Sequence, residues 1–556
     1  MASVHAPGEQ VALRQVDPTV ADHANRIVPE LEALRGVHLN TQDRIRAVWE
    51  RVAADDKINK EFAGAAIRAA TMRGRVANRV MELLGDRPDF IQMMSIGDVD
   101  LPSFVKPTID DIYGRAHQQH VANLEEHGTC YDLASKGLEK ARRAMVEYFD
   151  PHYGFSNVPG MIEALTKNAC ITNGGMRALD DIVTGMIKRA QDRRSPQSDI
   201  VAGATPRAPD RRRPTQARPP DSAPSYDRRT RPRFIYPDNS FGTWGQILNL
   251  RSSNGQVADL ERLPTSQDNR LHLGPKDVAD FYTRNNPETG PKQDTWYITP
   301  VGNPSGTKMT PSQLFATCNA IIDRNPQAII ILDSVYVRTL PPEKARELFA
   351  GVINMPAIMD RVIIVESFSK THGLCGERIG TYMSTNPELF DAVQNVNMTL
   401  SAGNGHFRSA IVQALCDTSA DQETAVRSLH EFWAQERRGL RQYLLGNDSF
   451  AHIFDPDQSH IVNDDLENPL GLYLFVKLLP GISSSDVLYT TGCLGVETNM
   501  TSGTYMRFSV GKSTEPAFAK YIQSQGGSDH DASHRDPSSA PSFPSVQFAG
   551  THSGFL

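Results

Sequence analysis

The chain has 556 residues, 39% of them hydrophobic and 22% charged, with a formal net charge of −7. This length allows two or more domains around a large core, and the acidic balance indicates neither a nucleic-acid partner nor an anionic membrane. The N-terminus lacks the features of a secretory signal, and no apolar run approaches the ~20 residues that span a bilayer, so we predict a cytoplasmic protein. The six cysteines are scattered, so we predict neither a disulfide framework nor a metal site.

Residues 1–85 predict a helical N-terminal extension. Apolar side chains recur at helical spacing between residues 59 and 85, and Gly85 stands where such a helix would end. No chemistry-bearing pattern accompanies them. We interpret the extension as a packing or oligomerisation element.

Two polar segments interrupt the rest of the chain. Residues 192–233 are rich in Pro and Arg and poor in aromatic and branched apolar residues, so they cannot bury enough surface to offset their ordering entropy. We predict a mobile, solvated insertion, although its arginines could bind polyanions. Residues 526–556 are rich in Gly, Ser, His, Asp and Pro and predict a disordered tail.

Short apolar runs alternate with helical patterns in the middle of the chain. The runs lie at residues 234–236, 295–298, 328–332 and 362–365, with a helical stretch at 311–324. This alternation is typical of a mostly parallel sheet covered on both faces. The sequence therefore predicts an α/β fold, with a large domain over residues 86–384 that contains the insertion.

Residues 385–525 have a different pattern. Long helical patterns at 387–397 and 409–446 come first, and apolar runs at 472–476 and 504–510 follow. Runs of helices followed by runs of strands indicate an α+β arrangement. We predict a smaller C-terminal domain here.

The most informative segment is residues 367–380, which directly follows an apolar run at 361–366. It combines two serines, Lys370, a glycine-rich turn and Arg378. An amine at the end of a strand can form a Schiff base with an aldehyde. Serine hydroxyls and a guanidinium fork suit a phosphate. Pyridoxal phosphate carries both groups, so this segment indicates that cofactor.

Two other stretches fit the same cofactor. Asp333 ends the apolar run at 328–332, and a carboxylate in that position needs a charged or hydrogen-bonding partner. A pyridinium nitrogen would supply one, and the carboxylate would keep the ring protonated as an electron sink. Gly174 and Gly175 open a helical run, where backbone N–H groups and the helix dipole can approach a phosphate.

Residues 367–380 resemble the S-x-x-K-x-x-G-L-x-G-E-R-x-G segment of the class I/II aminotransferases, which have the fold type I of pyridoxal-phosphate-dependent transferases. The resemblance spans roughly residues 86–525. Five further elements stand in that family's order: T-x-G-x-x-x-A-L at 172–179, an aromatic loop at 237–244, N-P-S-G at 303–306, D-x-x-Y at 333–336 and R-x-S at 507–509.

The resemblance implies roles for individual residues. Lys370 would carry the cofactor as an internal aldimine and then move the Cα proton of an amino-acid substrate. Asp333 would contact the ring nitrogen and Tyr336 the phenolate oxygen, completing the catalytic set. Further cofactor contacts would come from Gly175, Met176, Phe241, Asn303, Ser367, Ser369 and Arg378.

Substrate contacts follow from the same resemblance. Arg507 would grip the α-carboxylate as a bidentate fork, with Asn303 beside it. Residues 95–102 resemble the early segment that closes over the substrate, and Gly97 would offer a backbone contact there.

Three departures from the family pattern bear on specificity. Tyr131 stands six residues before Gly137 where the family often has five, and the loop at 495–503 lacks the usual P-G-x-x-F. The second arginine of the dicarboxylate-specific enzymes would fall near Asn397. We therefore predict an aminotransferase that is not specific for dicarboxylates.

Two alternatives remain open. The same site can run elimination, replacement or cyclisation, and enzymes of this kind that use S-adenosylmethionine share the motif. A non-catalytic protein with a degenerate domain is disfavoured, because every cofactor residue is present. We expect a homodimer or larger homo-oligomer, with sites formed between two large domains.

Overall fold

A computed structural model describes the central part of the chain. The described residues are 92–93, 101–128, 132, 135–192, 231–252, 255–285, 293–401, 405–446, 450–458, 472–482, 484, 487, 491 and 493–510. The predicted N-terminal extension, residues 193–230 of the predicted insertion and the predicted tail lie outside them.

A seven-stranded sheet forms the centre of the described fold. Its strands are β2 (Ala169–Asn173), β3 (Arg233–Pro237), β4 (Asp259–Leu263), β5 (Asp294–Ile298), β6 (Ile329–Asp333), β7 (Val362–Ser367) and β8 (Ile379–Met383). Their spatial order is β2-β8-β7-β6-β5-β3-β4. Only β8 runs against its neighbours β2 and β7; the other pairings are parallel. The predicted mostly parallel α/β sheet is thus confirmed.

Helices cover both faces of this sheet, as the continuous apolar runs predict. The helices are α1 (Lys106–His127), α2 (Glu139–Tyr153), α3 (Met161–Lys167), α4 (Gly175–Asp192), α5 (Gly242–Arg251), α6 (Pro275–Arg284), α7 (Pro311–Arg324), α8 (Pro342–Ile353), α9 (Pro356–Met359), α10 (Phe368–Thr371), α11 (Pro387–Ser401), α12 (His406–Cys416) and α13 (Ala420–Leu445).

Alternate strand residues serve the two faces, as the pleat requires. Ile329 and Ile331 of β6 pack with residues of α4, α5 and α11. Ile330 and Leu332 pack in the second core, with residues of α2, α7 and α8. Every residue of β6 is buried, which explains why its sequence reads as an uninterrupted apolar run.

The C-terminal residues form a smaller antiparallel sheet. Strands β9 (Tyr473–Lys477), β11 (Val496–Met500) and β12 (Gly503–Ser509) lie in the order β11-β12-β9, and α13 packs against β9. A two-residue strand, β1 (Gln92–Met93), pairs in parallel with β10 (Cys493–Leu494). Residues 92 and 93 therefore lie beside the C-terminal part of the chain.

Two details differ from the sequence-based expectation. The helix α11, which we predicted to begin the small domain, packs on α4, where a Cβ on Gly185 would lie 2.7 Å from the carbonyl oxygen of Ala392. The predicted helical stretch 409–446 is two helices, α12 and α13. The backbone N–H of Gln422 donates to the Ser419 hydroxyl at 3.2 Å, a side-chain cap that begins a new helix.

No helix among the described residues combines the length and the apolar composition that crossing a membrane requires.

Candidate active site

A cavity of about 390 Å³ opens at the carboxyl ends of β5, β6 and β7. Because parallel strands end at one edge of a sheet, the residues that follow them meet there. Every predicted site residue lines this cavity except Gly97, which lies outside the described residues. The lining includes Gly175, Met176, Phe241, Asn303, Asp333, Tyr336, Ser367, Ser369, Lys370, Arg378 and Arg507.

Lys370 lies on α10, a single helical turn that directly follows β7. The hydroxyl of Ser367 caps this turn by accepting from the backbone N–H of Ser369 at 3.1 Å. The same hydroxyl lies 2.9 Å from the Ser369 hydroxyl and 2.9 Å from the carbonyl oxygen of Ile379. The cap holds both serines and the lysine at the end of the strand.

A group of glycines lets Arg378 and the start of α4 come close together beside the serines. Gly174 has φ +81°, and a Cβ on it would lie 2.6 Å from the guanidinium of Arg378. A Cβ on Gly380 would lie 2.5 Å from the backbone of Gly174 and Gly175. The helix α4 begins here, and the first N–H groups of a helix form the positive end of its dipole. Together these residues form a cradle of donors that fits a phosphate.

Arg378 occupies the left-handed region of backbone space, with φ +56°. Non-glycine residues rarely adopt this conformation and persist in it only where the surroundings enforce it. Its Nη1 donates to the carbonyl oxygen of Cys375 at 3.0 Å. The turn thus directs the guanidinium toward the glycines, at the cost of backbone strain.

Asp333 ends β6 and is buried. The hydroxyl of Tyr297 donates to its Oδ2 at 2.5 Å. Burial raises the pKa of Asp333 to about 6, although the hydrogen bonds from Tyr297 and the Val335 backbone lower it. A buried carboxyl of this kind favours a cationic partner, as a pyridinium nitrogen would be.

Sequence reasoning missed Tyr297. It lies on β5 within the apolar run, where an aromatic residue predicts core packing, and its ring does stack on Trp244 at 4.3 Å between centroids. The signal that could have identified it is its hydroxyl, since β5 and β6 are adjacent and a buried tyrosine oxygen usually finds a partner.

A chain of polar contacts joins the large sheet to the C-terminal strands. Nδ2 of Asn303 donates to the hydroxyl of Tyr336 at 3.0 Å, and Nη1 of Arg507 donates to Oδ1 of Asn303 at 3.0 Å. The hydroxyl of Tyr473 lies 2.9 Å from that of Tyr336. Burial raises the pKa of Tyr336 well above its usual value, so this phenol stays a hydrogen-bond donor at neutral pH.

Sequence reasoning also missed Tyr473. It lies on β9, lines the cavity and is buried. The signal was present, because Tyr473 is the one residue with a polar side-chain group in the predicted apolar run at 472–476.

A buried ion pair lies next to the turn that carries Lys370. Nε of Arg338 lies 3.3 Å from Oε2 of Glu366, which precedes Ser367 on β7. The hydroxyl of Tyr153 donates to the other oxygen of Glu366 at 2.5 Å. The guanidinium also lies over the ring of Phe368, at 4.8 Å. Such a pair has its charges compensated and fixes the geometry of the strand end.

Asn397, near which the second arginine of dicarboxylate-specific enzymes would fall, lies elsewhere. Its Nδ2 donates to the carbonyl oxygen of Ser135 at 2.7 Å, and the residue is buried on α11. It is not among the residues that line this cavity. Its own position in this subunit therefore carries no information about the substrate.

The chain matches the family model of aminotransferase class I and II over residues 237–462. Among curated proteins it is 24% identical over 211 residues to the bifunctional aspartate aminotransferase and glutamate/aspartate-prephenate aminotransferase of Petunia hybrida, covering 38% of this chain and 41% of that protein. It is 27% identical over 132 residues to histidinol-phosphate aminotransferase of Erythrobacter litoralis, covering 23% of this chain and 34% of that protein. The matches thus span less than half the length of either relative.

Solved structures resemble the fold over a greater length. The aspartate aminotransferase of Thermotoga maritima superposes with a TM-score of 0.53 and 14% identity, covering 84% of this chain and 98% of that chain. The substrate-bound BacF structure from Bacillus subtilis gives a TM-score of 0.52 and 12% identity, covering 82% and 94%. At such identities the likeness concerns the fold.

Proposed function

Because the chain belongs to the class I and II aminotransferase family, we propose that it is a pyridoxal-phosphate-dependent enzyme that transfers the amino group of an amino acid. One observation carries the proposal: a single cavity brings together the lysine, the buried acid, the phosphate cradle and a substrate-side arginine. Each matches a different functional group of the cofactor or of an amino acid.

The residues present fit this cofactor. The cradle of Gly175, Ser367, Ser369 and Arg378 would hold its phosphate, and Asp333 would pair with its ring nitrogen. Asn303 and Tyr336 would donate to its ring oxygen, and Phe241 would lie against its ring. When bound, the cofactor supplies an electron sink for the electron pair left at the substrate Cα.

The proton transfers fall to Lys370. Its amine is the group that would hold the cofactor aldehyde, and as a free amine it would act as the base that takes up the substrate Cα proton. The cap at Ser367 supports this role, since it fixes the turn that carries the amine. Asp333, as a carboxylate, would keep the ring nitrogen protonated, and this would favour release of the Cα proton.

The cations of the cavity bear on the substrate class. Among the described residues that line it, the lysine and arginines are Lys370, Arg378 and Arg507. Under this proposal they serve the aldehyde, the phosphate and the substrate α-carboxylate. Within one subunit none of the three is left for a second carboxylate, and for this reason we propose an enzyme that is not specific for dicarboxylates.

The cofactor is tested by its absorbance. The purified protein should show the visible band of lysine-bound pyridoxal phosphate, and borohydride should abolish the band and leave a pyridoxyl group on Lys370 by peptide mass mapping. The Lys370→Ala variant should lack the band, while the surface variant Lys276→Ala should keep it. A pyridoxyl group on another lysine would refute the assignment.

The reaction is tested with a panel of amino acids and S-adenosylmethionine. Release of a 2-keto acid that retains the donor's carbon skeleton, with amino transfer to an acceptor keto acid, would support transamination. Loss of a side-chain leaving group or formation of a ring would instead support elimination, replacement or cyclisation. Preferred turnover of aspartate or glutamate would contradict the proposed specificity.

A further inference from the structure

We propose that Tyr473 is a positioning residue of this site, holding Tyr336 through its hydroxyl and Arg507 through its ring. The inference rests on the proposed function, because Tyr336 and Arg507 are there assigned to the cofactor oxygen and the substrate carboxylate. Tyr473 belongs to the C-terminal sheet and contacts both of these residues.

The contacts of Tyr473 reach both neighbours at once. Its hydroxyl lies 2.9 Å from the hydroxyl of Tyr336, and the Cζ of Arg507 lies 4.5 Å from the centre of its ring. The side chain is 3% exposed. A desolvated guanidinium over an aromatic face is a favourable cation–π contact. The ring therefore restricts where the guanidinium can lie.

The hydroxyl of Tyr473 has a role that follows from counting protons. The oxygen of Tyr336 can accept two hydrogen bonds and donate one. Asn303 fills one acceptor position at 3.0 Å. If Tyr336 gives its only proton to a ring oxygen of the cofactor, the proton between the two tyrosines must come from Tyr473. Tyr473 then fills the second acceptor position, and this polarises Tyr336 toward stronger donation.

The charges around the pair decide which tyrosine ionises first. Burial acts to raise the pKa of Tyr473, but Lys370 on α10, Arg507 on β12 and the hydrogen bond with Tyr336 lower it, and the net direction is downward although Cys375 opposes it. The pKa of Tyr336 is raised well above its usual value. On alkaline titration Tyr473 loses its proton first and becomes an acceptor for Tyr336.

The two parts of the side chain can be separated by mutation. Tyr473→Phe keeps the ring beneath Arg507 and removes the hydroxyl. Without that donor, Tyr336 donates less strongly, and the ring oxygen of the cofactor keeps more negative charge. This charge stabilises the proton on the nearby nitrogen that would join Lys370 to the cofactor. We expect the pH midpoint of the visible cofactor band to rise by about half to one unit. The dissociation constant of an unreactive amino-acid analogue should stay within about twofold.

The second variant, Tyr473→Leu, removes the ring as well. The analogue's dissociation constant should then rise about tenfold, in line with a cation–π contact of roughly 1–2 kcal/mol. Tyr382→Phe is the matched control, since that buried hydroxyl donates to Gln394 on α11 at 2.8 Å. It should leave both readouts unchanged.

The outcomes separate this inference from the proposed function. If the wild-type protein shows no cofactor band, the proposed function fails. If it shows the band, but Tyr473→Phe has the wild-type midpoint and Tyr473→Leu binds the analogue as tightly as wild type does, the positioning role is overturned. A shift of the same size in Tyr382→Phe would also overturn it, because the effect would then be a general consequence of losing a buried hydroxyl.

Discussion

Asp333 lowers the stability of the folded protein when it has no cationic partner, and a cationic partner reverses this effect. Burial raises its pKa from 3.8 to about 6, so the folded protein without cofactor binds more protons than the unfolded chain between pH 4 and 6. Stability must then fall as the pH rises through this window. Two pKa units correspond to about 3 kcal/mol, which is an upper limit. A bound pyridinium would reverse the penalty.

This predicts a stabilising substitution in the cofactor-free protein. Asp333→Asn mimics the protonated carboxyl and can still accept from Tyr297. It should match wild type near pH 4 and exceed it at pH 7, as measured by urea unfolding. In the cofactor-loaded enzyme the same change should abolish most activity. Equal unfolding free energies at pH 7 would contradict the predicted effect of burial; Asp323→Asn, on the exposed end of α7, serves as the control.

Arg507 can be tested by a change that keeps its charge. Arg507→Lys removes the planar fork that fits a carboxylate, and losing one partner of a desolvated charged contact costs roughly 2–5 kcal/mol. We expect the cofactor band to survive and the dissociation constant for the amino acid to rise at least about tenfold. Arg284→Lys on α6 is the control. Unchanged binding would mean that the carboxylate is held elsewhere.

At the scale of elements, the phosphate cradle depends on a close approach between β8 and the start of α4. A Cβ on Gly380 would lie 2.5 Å from backbone atoms of Gly174 and Gly175. Backbone atoms cannot move aside as a flexible side chain can. The glycine therefore lets the helix N-terminus reach the phosphate site.

We predict that Gly380→Ala pushes β8 and α4 apart and lowers pyridoxal phosphate affinity by tenfold or more, together with a loss of roughly 1–3 kcal/mol in stability. The measurements are cofactor titration and urea unfolding. Gly439→Ala on α13 is the matched control, since nothing lies within 4 Å of its Cβ; it should be neutral or slightly stabilising. Wild-type affinity in Gly380→Ala would refute the cradle.

For the whole molecule we predict a homodimer or larger homo-oligomer. Closed symmetric assemblies are the commonest soluble oligomers, and the family resemblance implies sites between two large domains. Light scattering should give at least twice the chain mass of 61.4 kDa. A fully active monomer would overturn the prediction.

We also predict that most of the polar insertion is dispensable. Deleting residues 195–230 removes none of the described residues that line the cavity, so we expect the cofactor band and turnover to be retained. Spectroscopy and single-turnover kinetics check this. Loss of the band in a variant that still folds cooperatively would show that the segment supports the site.

Periodicity and motif order in the sequence are enough to predict the large sheet and most of the residues at the cavity. Buried parallel strands read as apolar runs, and the lysine, serines and arginine that follow one such run match both the aldehyde and the phosphate of pyridoxal phosphate. The same patterns did not identify β2, β4 or β8 as strands, and they joined α12 to α13. Short strands of mixed composition and a brief break between two helices give little periodic signal.

The contacts between distant residues arise only when the chain is folded. Tyr297 reaches Asp333 across adjacent strands, and Tyr473 reaches Tyr336 across 137 positions of sequence. An aromatic residue in an apolar run predicts packing whether or not its hydroxyl has a partner, since periodicity reports burial and not what lies opposite. Asn397 shows the same limit, because counting from a motif gives only its place in the sequence, and its contact with Ser135 arises only when α11 is folded.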